Sequence, residues 1–302
     1  MPDFILHHHD PSPFAEKIRL IFGLKDLHWG SVQIPMIMPK PDLTALTGGY
    51  RKTPVVQCDA DIYIDSLLIA QEIDRRSPNP PLFRGSSRGL TLALSRWSDK
   101  AFFEPGAALS MGENPQVPDA VIEDRKNFFN FMDFSKLAES LPAARFQLQA
   151  QLAILESALT DRDYLDGDAP GYTDVLGWFP VWMVRNNVPS ASELLAPFNS
   201  IAAWSERMSA IGHGKREDID ASVAIERAHA STPGDGGVVG DNPFSLSRGD
   251  RVAVFADDYG KDEMEGELLH LDHHTITIRR HDERAGALNL HAPASGFLLR
   301  KL

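Results

Sequence analysis

Two serines in this chain stand where a predicted helix begins, and that position can do chemistry. Ser12 precedes Pro13 at the start of an apolar helical pattern, and Ser66 follows Asp65 at the start of another. A helix N-terminus has unpaired N–H groups and a partial positive charge, so it can hold an anion or a thiolate. A serine hydroxyl can donate a hydrogen bond to the same group. The alternative for each serine is a plain turn residue or helix cap.

Cysteine and histidine give weaker signals. The single cysteine, Cys58, excludes an internal disulfide and a four-thiolate zinc site, and it is expected to be a small buried side chain. The 11 histidines show no metal-ligand spacing, so no metal is expected. A chain without disulfides, signal peptide or long apolar segment is expected to be cytoplasmic and to have no membrane partner.

The composition is that of a globular protein with more than one domain. The chain has 302 residues, of which 43% are hydrophobic and 24% charged. It carries 42 acidic and 30 basic side chains, a net charge of −12. No part is basic enough to neutralise phosphates by counterion release, so nucleic acid is not an expected partner.

The two serines are positioned by alternating strands and helices in the first third of the chain. Residues 4–9 form a predicted buried strand, an amphipathic helix follows, and residues 28–34 form a second strand, which makes a parallel βαβ unit. Segments 53–57 and 62–65 have the spacing of a hairpin, and Ser66 is expected to cap the next helix. The predicted order is therefore βαβ followed by ββα.

The remaining two thirds of the chain contain two regions, which differ in the periodicity of their apolar residues. From Arg88 to about Ala230 the periodicity is helical, which predicts an all-α region. From Gly249 onward the apolar residues alternate, which predicts four or five short strands in a small barrel or curled sheet. A turn is expected at Gly266, and the pattern has a weak likeness to an SH3-like barrel.

Five segments, in this order, resemble the glutathione transferase superfamily. They are Ser12-Pro13-Phe14 with the helix that follows, Thr53-Pro54-Val55-Val56, Asp65-Ser66, residues 168–174 and residues 202–208. The resemblance implies that the Thr53–Pro54 peptide bond is cis. The resemblance spans about residues 4–215. It implies an α/β thioredoxin-like domain at 1–82 and an all-α C-terminal domain at 86–228. The strands at 245–302 would form a small SH3-like all-β domain.

The resemblance also implies how glutathione would be held. Ser12 would stabilise the thiolate, and the backbone at Thr53-Pro54 would pair with the tripeptide as a short added strand. Asp65 and Ser66 would bind the γ-glutamyl ammonium and carboxylate. Basic alternatives for the glycine carboxylate are Lys40, Arg51 and Lys52, of which Lys40 and Lys52 are preferred.

The family's substrate pocket would be lined by the first helices of the all-α domain. Its predicted lining residues are Trp97, Phe102, Phe103 and Met111. Aromatic side chains at helical spacing are more often core residues, so a core role is the alternative for each.

The predicted function is transfer of the glutathione thiolate to a small apolar electrophile. Glutathione would be a co-substrate, and a homodimer is expected from the family. The alternative is a non-catalytic binding or regulatory protein that keeps the fold. A thiol–disulfide reductase is disfavoured because Ser12 stands where its nucleophilic cysteine would be needed.

Overall fold

A computed structural model describes residues 2–84 and 88–302. The helices are α1 (Pro13–Leu24), α2 (Pro41–Thr47), α3 (Ser66–Arg76), α4 (Arg88–Arg96), α5 (Phe103–Glu113), α6 (Asp119–Phe128), α7 (Leu137–Ala158), α8 (Tyr172–Asn187), α9 (Ala191–Leu195), α10 (Asn199–Ile211) and α11 (Ala221–His229). The strands are β1 (Phe4–His8), β2 (His28–Gln33), β3 (Val55–Cys58), β4 (Asp61–Ile64), β5 (Lys215–Asp218), β6 (Arg251–Ala256), β7 (Met264–Leu271), β8 (Thr275–Asp282), β9 (Gly286–Pro293) and β10 (Phe297–Lys301). A π-helical segment, Trp97–Phe102, joins α4 to α5, and a 3₁₀ turn, Phe134–Lys136, precedes α7.

The chain folds as two compact units. The first comprises the chain up to Asp10, His28–Glu72 and Lys215–Leu302, and the second comprises Pro11–Leu27 and Ile73–Gly214. The domain limits expected from the sequence stay a prediction, and those at residues 1 and 86 lie outside the described residues.

A single sheet organises the first unit. In the described residues it has ten strands in the order β10-β6-β7-β8-β9-β4-β3-β1-β2-β5. β1 pairs with β2 in parallel, while β3 is antiparallel to both β1 and β4. This confirms the predicted βαβ–ββα order. Every residue of β1 is buried, as expected for a strand with both faces covered.

The strands of the last third continue this sheet. We call β6–β10 and the loops between them (residues 251–301) the C-terminal extension. β9 pairs in parallel with β4, with Asp61 opposite Asn289 and Tyr63 opposite His291. Apolar side chains of the extension share one core with those of α2, β3 and β4. The extension therefore packs as part of the first unit, and its likeness to an SH3-like barrel stays a prediction.

Two local expectations for the later part of the chain are wrong. Gly266 lies inside β7 rather than in a turn, and a Cβ there would stand 2.6 Å from the carbonyl oxygen of Arg279. Glycine is needed here for close strand packing, which composition alone does not distinguish from a turn. Residues 215–218 lie in the region expected to be all-α, but they form a strand, β5, whose side chains are all exposed and which pairs in parallel with β2.

The second unit is helical. α8 is buried along most of its length, and Asp174 in its first turn accepts hydrogen bonds from the Gly171 N–H (3.1 Å), the Leu165 N–H (2.8 Å) and Trp204 Nε1 (2.9 Å). Burial raises the pKa of Asp174. In the described part of the chain, no helix has both the length and the hydrophobicity to cross a bilayer.

Candidate active site

Ser12 lies at the N-terminus of α1, as predicted. It is 3% exposed, and its Oγ accepts a hydrogen bond of 3.2 Å from the Ala15 N–H, while Pro13 takes the first helical position. A hydroxyl has one donor and two acceptor sites, so capping the helix leaves its proton for a second partner. The cap and a role toward a thiolate are therefore compatible in one side chain.

Buried charges surround the first turns of α1. The carboxylate of Glu16 accepts hydrogen bonds from Arg19 Nε at 3.0 Å, Trp178 Nε1 at 3.1 Å and His213 Nε2 at 3.1 Å. Arg19 also donates to the carbonyl of Ser12 at 3.4 Å. Burial raises the pKa of Glu16, but the hydrogen bond from His213 and the charges of His213 and Arg19 outweigh it, so the pKa lies below its ordinary value. This network fixes the helix start that carries Ser12.

The Thr53–Pro54 bond lies at the start of β3 and is cis, as the resemblance implies. The Thr53 hydroxyl donates to the carbonyl of His7, at the end of β1, over 3.2 Å. In the hairpin, Val55 pairs with Ile64. The register therefore places Pro54 and Asp65 at the same end of β3 and β4.

Asp65 and Ser66 form the junction between β4 and α3. Asp65 has a φ of 71°, in the left-handed region, and its carboxylate accepts from the Leu67 N–H at 2.8 Å. The expectation that Ser66 caps α3 is wrong, because Asp65 performs that role and Ser66 is the first helical residue. Ser66 is buried. A non-glycine residue held in the left-handed region is costly and is found preferentially at functional sites.

The two preferred lysines have partners within the first unit. Lys40 is buried, and its Nζ donates to the Arg51 carbonyl at 2.8 Å. Lys52 pairs with Asp258 of the C-terminal extension, and its Nζ lies 4.3 Å from the ring centre of Tyr259. The roles of both lysines toward glutathione stay predictions.

The predicted pocket residues lie on the π-helical segment and α5 of the second unit. Trp97 is partly buried and donates from Nε1 to Gln151 Oε1 at 2.9 Å, Phe102 is fully buried, and Met111 is partly buried. Phe103 is buried in an aromatic cluster, with its ring centre 4.8 Å from that of Phe14. Short π-helical segments occur frequently at functional sites.

Several residues of this aromatic cluster were not among the predicted pocket residues. We use the name aromatic cluster for Phe14, Phe103, Phe129, Phe131, Phe179 and Trp182. Phe14 lies two residues after Ser12, and its ring centre is 5.0 Å from that of Phe179. The sequence signal that could have found Phe129 and Phe131 is the dense aromatic run at residues 128–134.

Cys58 is buried. In residues 2–84 and 88–302, no group of three or more His, Cys, Asp or Glu side chains is arranged to hold a metal ion.

Two family models match the chain. The glutathione S-transferase N-terminal domain matches residues 6–81, and the glutathione S-transferase C-terminal domain matches residues 119–211. No curated protein sequence matches.

Solved structures are similar over different lengths. A GST-like protein from Pseudomonas syringae is 33% identical, with a TM-score of 0.80 over 100% of both chains. Glutathione S-transferase III in its apo form is 17% identical, with a TM-score of 0.52 over 70% of this chain and 92% of its own. A Tau class glutathione S-transferase from mango, Mangifera indica, is 17% identical, with a TM-score of 0.53 over 69% and 89%. The last two share the fold alone, whereas the bacterial protein also covers the C-terminal extension. By the two domain models and this full-length relative, the chain belongs to the glutathione S-transferase superfamily.

Proposed function

We propose that this protein is a glutathione-dependent transferase that joins the glutathione thiolate to a small apolar electrophile. The observation that carries the proposal is the Asp65–Ser66 junction. A buried serine begins α3, and the preceding aspartate is held in a left-handed conformation. The hydroxyl and the first N–H groups of α3 suit the γ-glutamyl carboxylate, while the Asp65 carboxylate suits its ammonium group.

The backbone of Thr53 supports the same ligand. In the hairpin register, Pro54 lies at the same end as Asp65, so a tripeptide bound at Ser66 would extend along the start of β3. The backbone N–H and C=O of Thr53 would pair with it as with an added strand. Lys52 directly precedes Thr53, so the glycine carboxylate would come near its ammonium group.

Ser12 would act on the sulfur. Its hydroxyl would donate a hydrogen bond to the thiolate, and the N-terminus of α1 would add positive potential, so that both lower the thiol pKa. The thiolate attacks the electrophilic carbon, forms the C–S bond and displaces the leaving group or adds to a double bond. The thiol proton goes to solvent.

The aromatic cluster supports a flat apolar or aromatic molecule as the electrophile. Phe14 and Phe103 have ring centres 4.8 Å apart in the unit that also carries Ser12, and Phe129 and Phe131 are partly buried beside them. Such surfaces favour flat apolar or aromatic molecules, which stack on ring faces and edges. We further propose a homodimer in a reducing, cytoplasmic compartment, in keeping with the family and the single buried cysteine.

The catalytic role of Ser12 is tested by the ultraviolet absorbance of bound thiolate. Wild-type protein saturated with reduced glutathione should show thiolate absorbance near neutral pH. In Ser12→Ala the absorbance should move to higher pH, and turnover of an aromatic electrophile should fall in parallel. Equal titration curves would remove the role of Ser12. Saturable binding without turnover of any electrophile would support the non-catalytic alternative.

A further inference from the structure

A loop of the C-terminal extension lies against the segment that leads to Thr53–Pro54. It joins β6 to β7 and comprises residues 257–263. Lys52 pairs with Asp258 and lies beneath the ring of Tyr259, so its ion pair and its ring contact both come from this loop. A Cβ at Gly49 would stand 3.8 Å from the carbonyl oxygen of Glu263, at the other end of the loop.

In the ion pair between Lys52 and Asp258, the lysine is largely buried and the aspartate is partly exposed to solvent. The Lys52 side chain is 13% exposed and that of Asp258 is 46% exposed. A pair of this kind is weaker than a buried one but stronger than a fully solvated one, because water screens it only in part. Lys52 is therefore not a fully available cation.

The charge of Asp258 also reaches the neighbourhood of Asp65. Tyr50 is buried and forms a hydrogen bond with the Asp65 backbone. Burial raises the pKa of Tyr50 well above its ordinary value, and the negative charges of Asp65 and Asp258 raise it further. Asp258 thus lies close to residues that the proposed function assigns to glutathione.

The loop also contains further acidic residues. Asp257, Asp262 and Glu263 accompany Asp258, against one basic residue, Lys261. A free carboxylate arriving at Lys52 would have to share its ammonium with Asp258. Glu263 is paired with Arg300, so the repulsion would come from the other acidic residues of the loop. A neutral group would not be repelled. Selectivity can come from such a repulsive element as well as from attraction.

We propose that Asp258 and Tyr259 make the C-terminal extension a specificity element of the glutathione site. Asp258 competes with the free glycyl carboxylate for the Lys52 ammonium, and Tyr259 limits where that ammonium can move. The site then accepts γ-glutamyl-cysteinyl ligands whose C-terminal end is uncharged about as well as it accepts glutathione. This inference rests on the proposed function and concerns only the carboxylate end of its ligand.

Two ligands that differ only in that charge test the inference. Glutathione and its glycinamide analogue are titrated calorimetrically into full-length wild-type protein, Asp258→Asn and Asp262→Asn. Asp262 is the matched control, because it lies in the same loop and its removal changes the net charge equally. We expect similar affinities for both ligands in wild type. In Asp258→Asn, glutathione should bind about two- to fivefold more tightly while the analogue is unchanged.

A double-mutant cycle separates action through Lys52 from a general charge effect. The gain from Asp258→Asn should disappear in a Lys52→Met background, because Asp258 acts on the ligand through Lys52. An equal gain in Asp262→Asn, or equal changes for both ligands, would overturn the inference and leave the proposed function intact. Absence of saturable binding of either ligand to all variants would overturn both.

Discussion

The carboxylate of Asp61 on β4 lies 2.9 Å from Nε2 of His291 on β9. The His291 ring stacks on Tyr63, with ring centres 4.5 Å apart. The same carboxylate accepts from Asn289 Nδ2 at 3.0 Å and from the Gly234 N–H at 3.3 Å. The contacts of His291 and Asn289 join the C-terminal extension to β4, which would otherwise be an edge strand of the thioredoxin-like sheet.

Replacing Asp61 with asparagine should destabilise the protein. The variant loses a charged acceptor shared by three donors, so the free energy of unfolding should fall by about 2 kcal/mol. Urea unfolding followed by circular dichroism measures it. Asp59→Asn is the control, since the Asp59 side chain is 59% exposed and its pair with Arg227 should contribute less than about 1 kcal/mol. Equal losses in the two variants would contradict this role for Asp61.

Deleting the extension should remove the fold of the first unit. Ile62, Ile64 and Val55 share a core with Val254, Leu290 and other residues of the extension, and truncation would expose them along an open strand edge. A chain ending at Thr232 is expected to aggregate or to lose cooperative thermal unfolding, as measured by size-exclusion chromatography and circular dichroism. A soluble truncated protein with unchanged unfolding and glutathione binding would show that the extension is an independent module.

His7 should make stability depend on pH. Burial lowers its pKa from 6.5 to about 4, although its hydrogen bond to Gln57 acts in the opposite direction. The unfolded chain binds the proton more tightly, so stability is full above pH 6.5 and falls between pH 6.5 and 4, by about 3 kcal/mol in total. The free energy of unfolding, measured with denaturant at a series of pH values, should change less steeply with pH in His7→Leu than in wild type.

A second variant controls the His7 experiment. His273 is exposed, so His273→Gln should keep the wild-type slope. If His7→Leu and wild type show the same pH dependence over this range, His7 is not the group responsible.

Breaking the network of charged side chains around Glu16 of α1 should destabilise the protein. Glu16→Gln leaves Arg19 buried without its anionic partner, and we expect a loss of about 3 kcal/mol in the free energy of unfolding. Glu206→Gln is the matched control, because its pair with Arg185 lies at the surface, with the Glu206 side chain 76% exposed. A Glu16 effect as small as that of Glu206 would show that the network does not hold the helix start.

Much of the thioredoxin-like part could be predicted because its signals are local. Pro13 marks the first turn of α1, and the spacing of residues 53–57 and 62–65 predicts the hairpin. The helix start at Ser66 was also correct, but its cap was not. Asp and Ser are both good caps, and the hydrogen bonds from the Leu67 N–H to the Asp65 carboxylate and from the Ile69 N–H to the Asp65 carbonyl decide between them.

The remaining features depend on contacts distant in sequence. β5 consists of four exposed charged residues and has no apolar alternation. The sequence therefore contains no signal for this strand or for its pairing with β2. The alternation at residues 276–290 predicts strands but cannot say which strand they pair with, and the parallel contact of β9 with β4 was not foreseen. For the same reason, the sequence pointed to Lys52 without indicating that Asp258 and Tyr259 contact it.

The most direct test of the central claim is calorimetric titration of reduced glutathione into the full-length protein and into Ser66→Ala. Wild type should bind saturably at millimolar concentration or below. Ser66→Ala should bind about tenfold or more weakly, because a hydrogen bond to a carboxylate is lost, while the exposed control Ser135→Ala should match wild type. No saturable binding to wild type would contradict the proposal that this protein depends on glutathione, and equal affinity in Ser66→Ala would contradict the placement of the γ-glutamyl carboxylate at the Asp65–Ser66 junction.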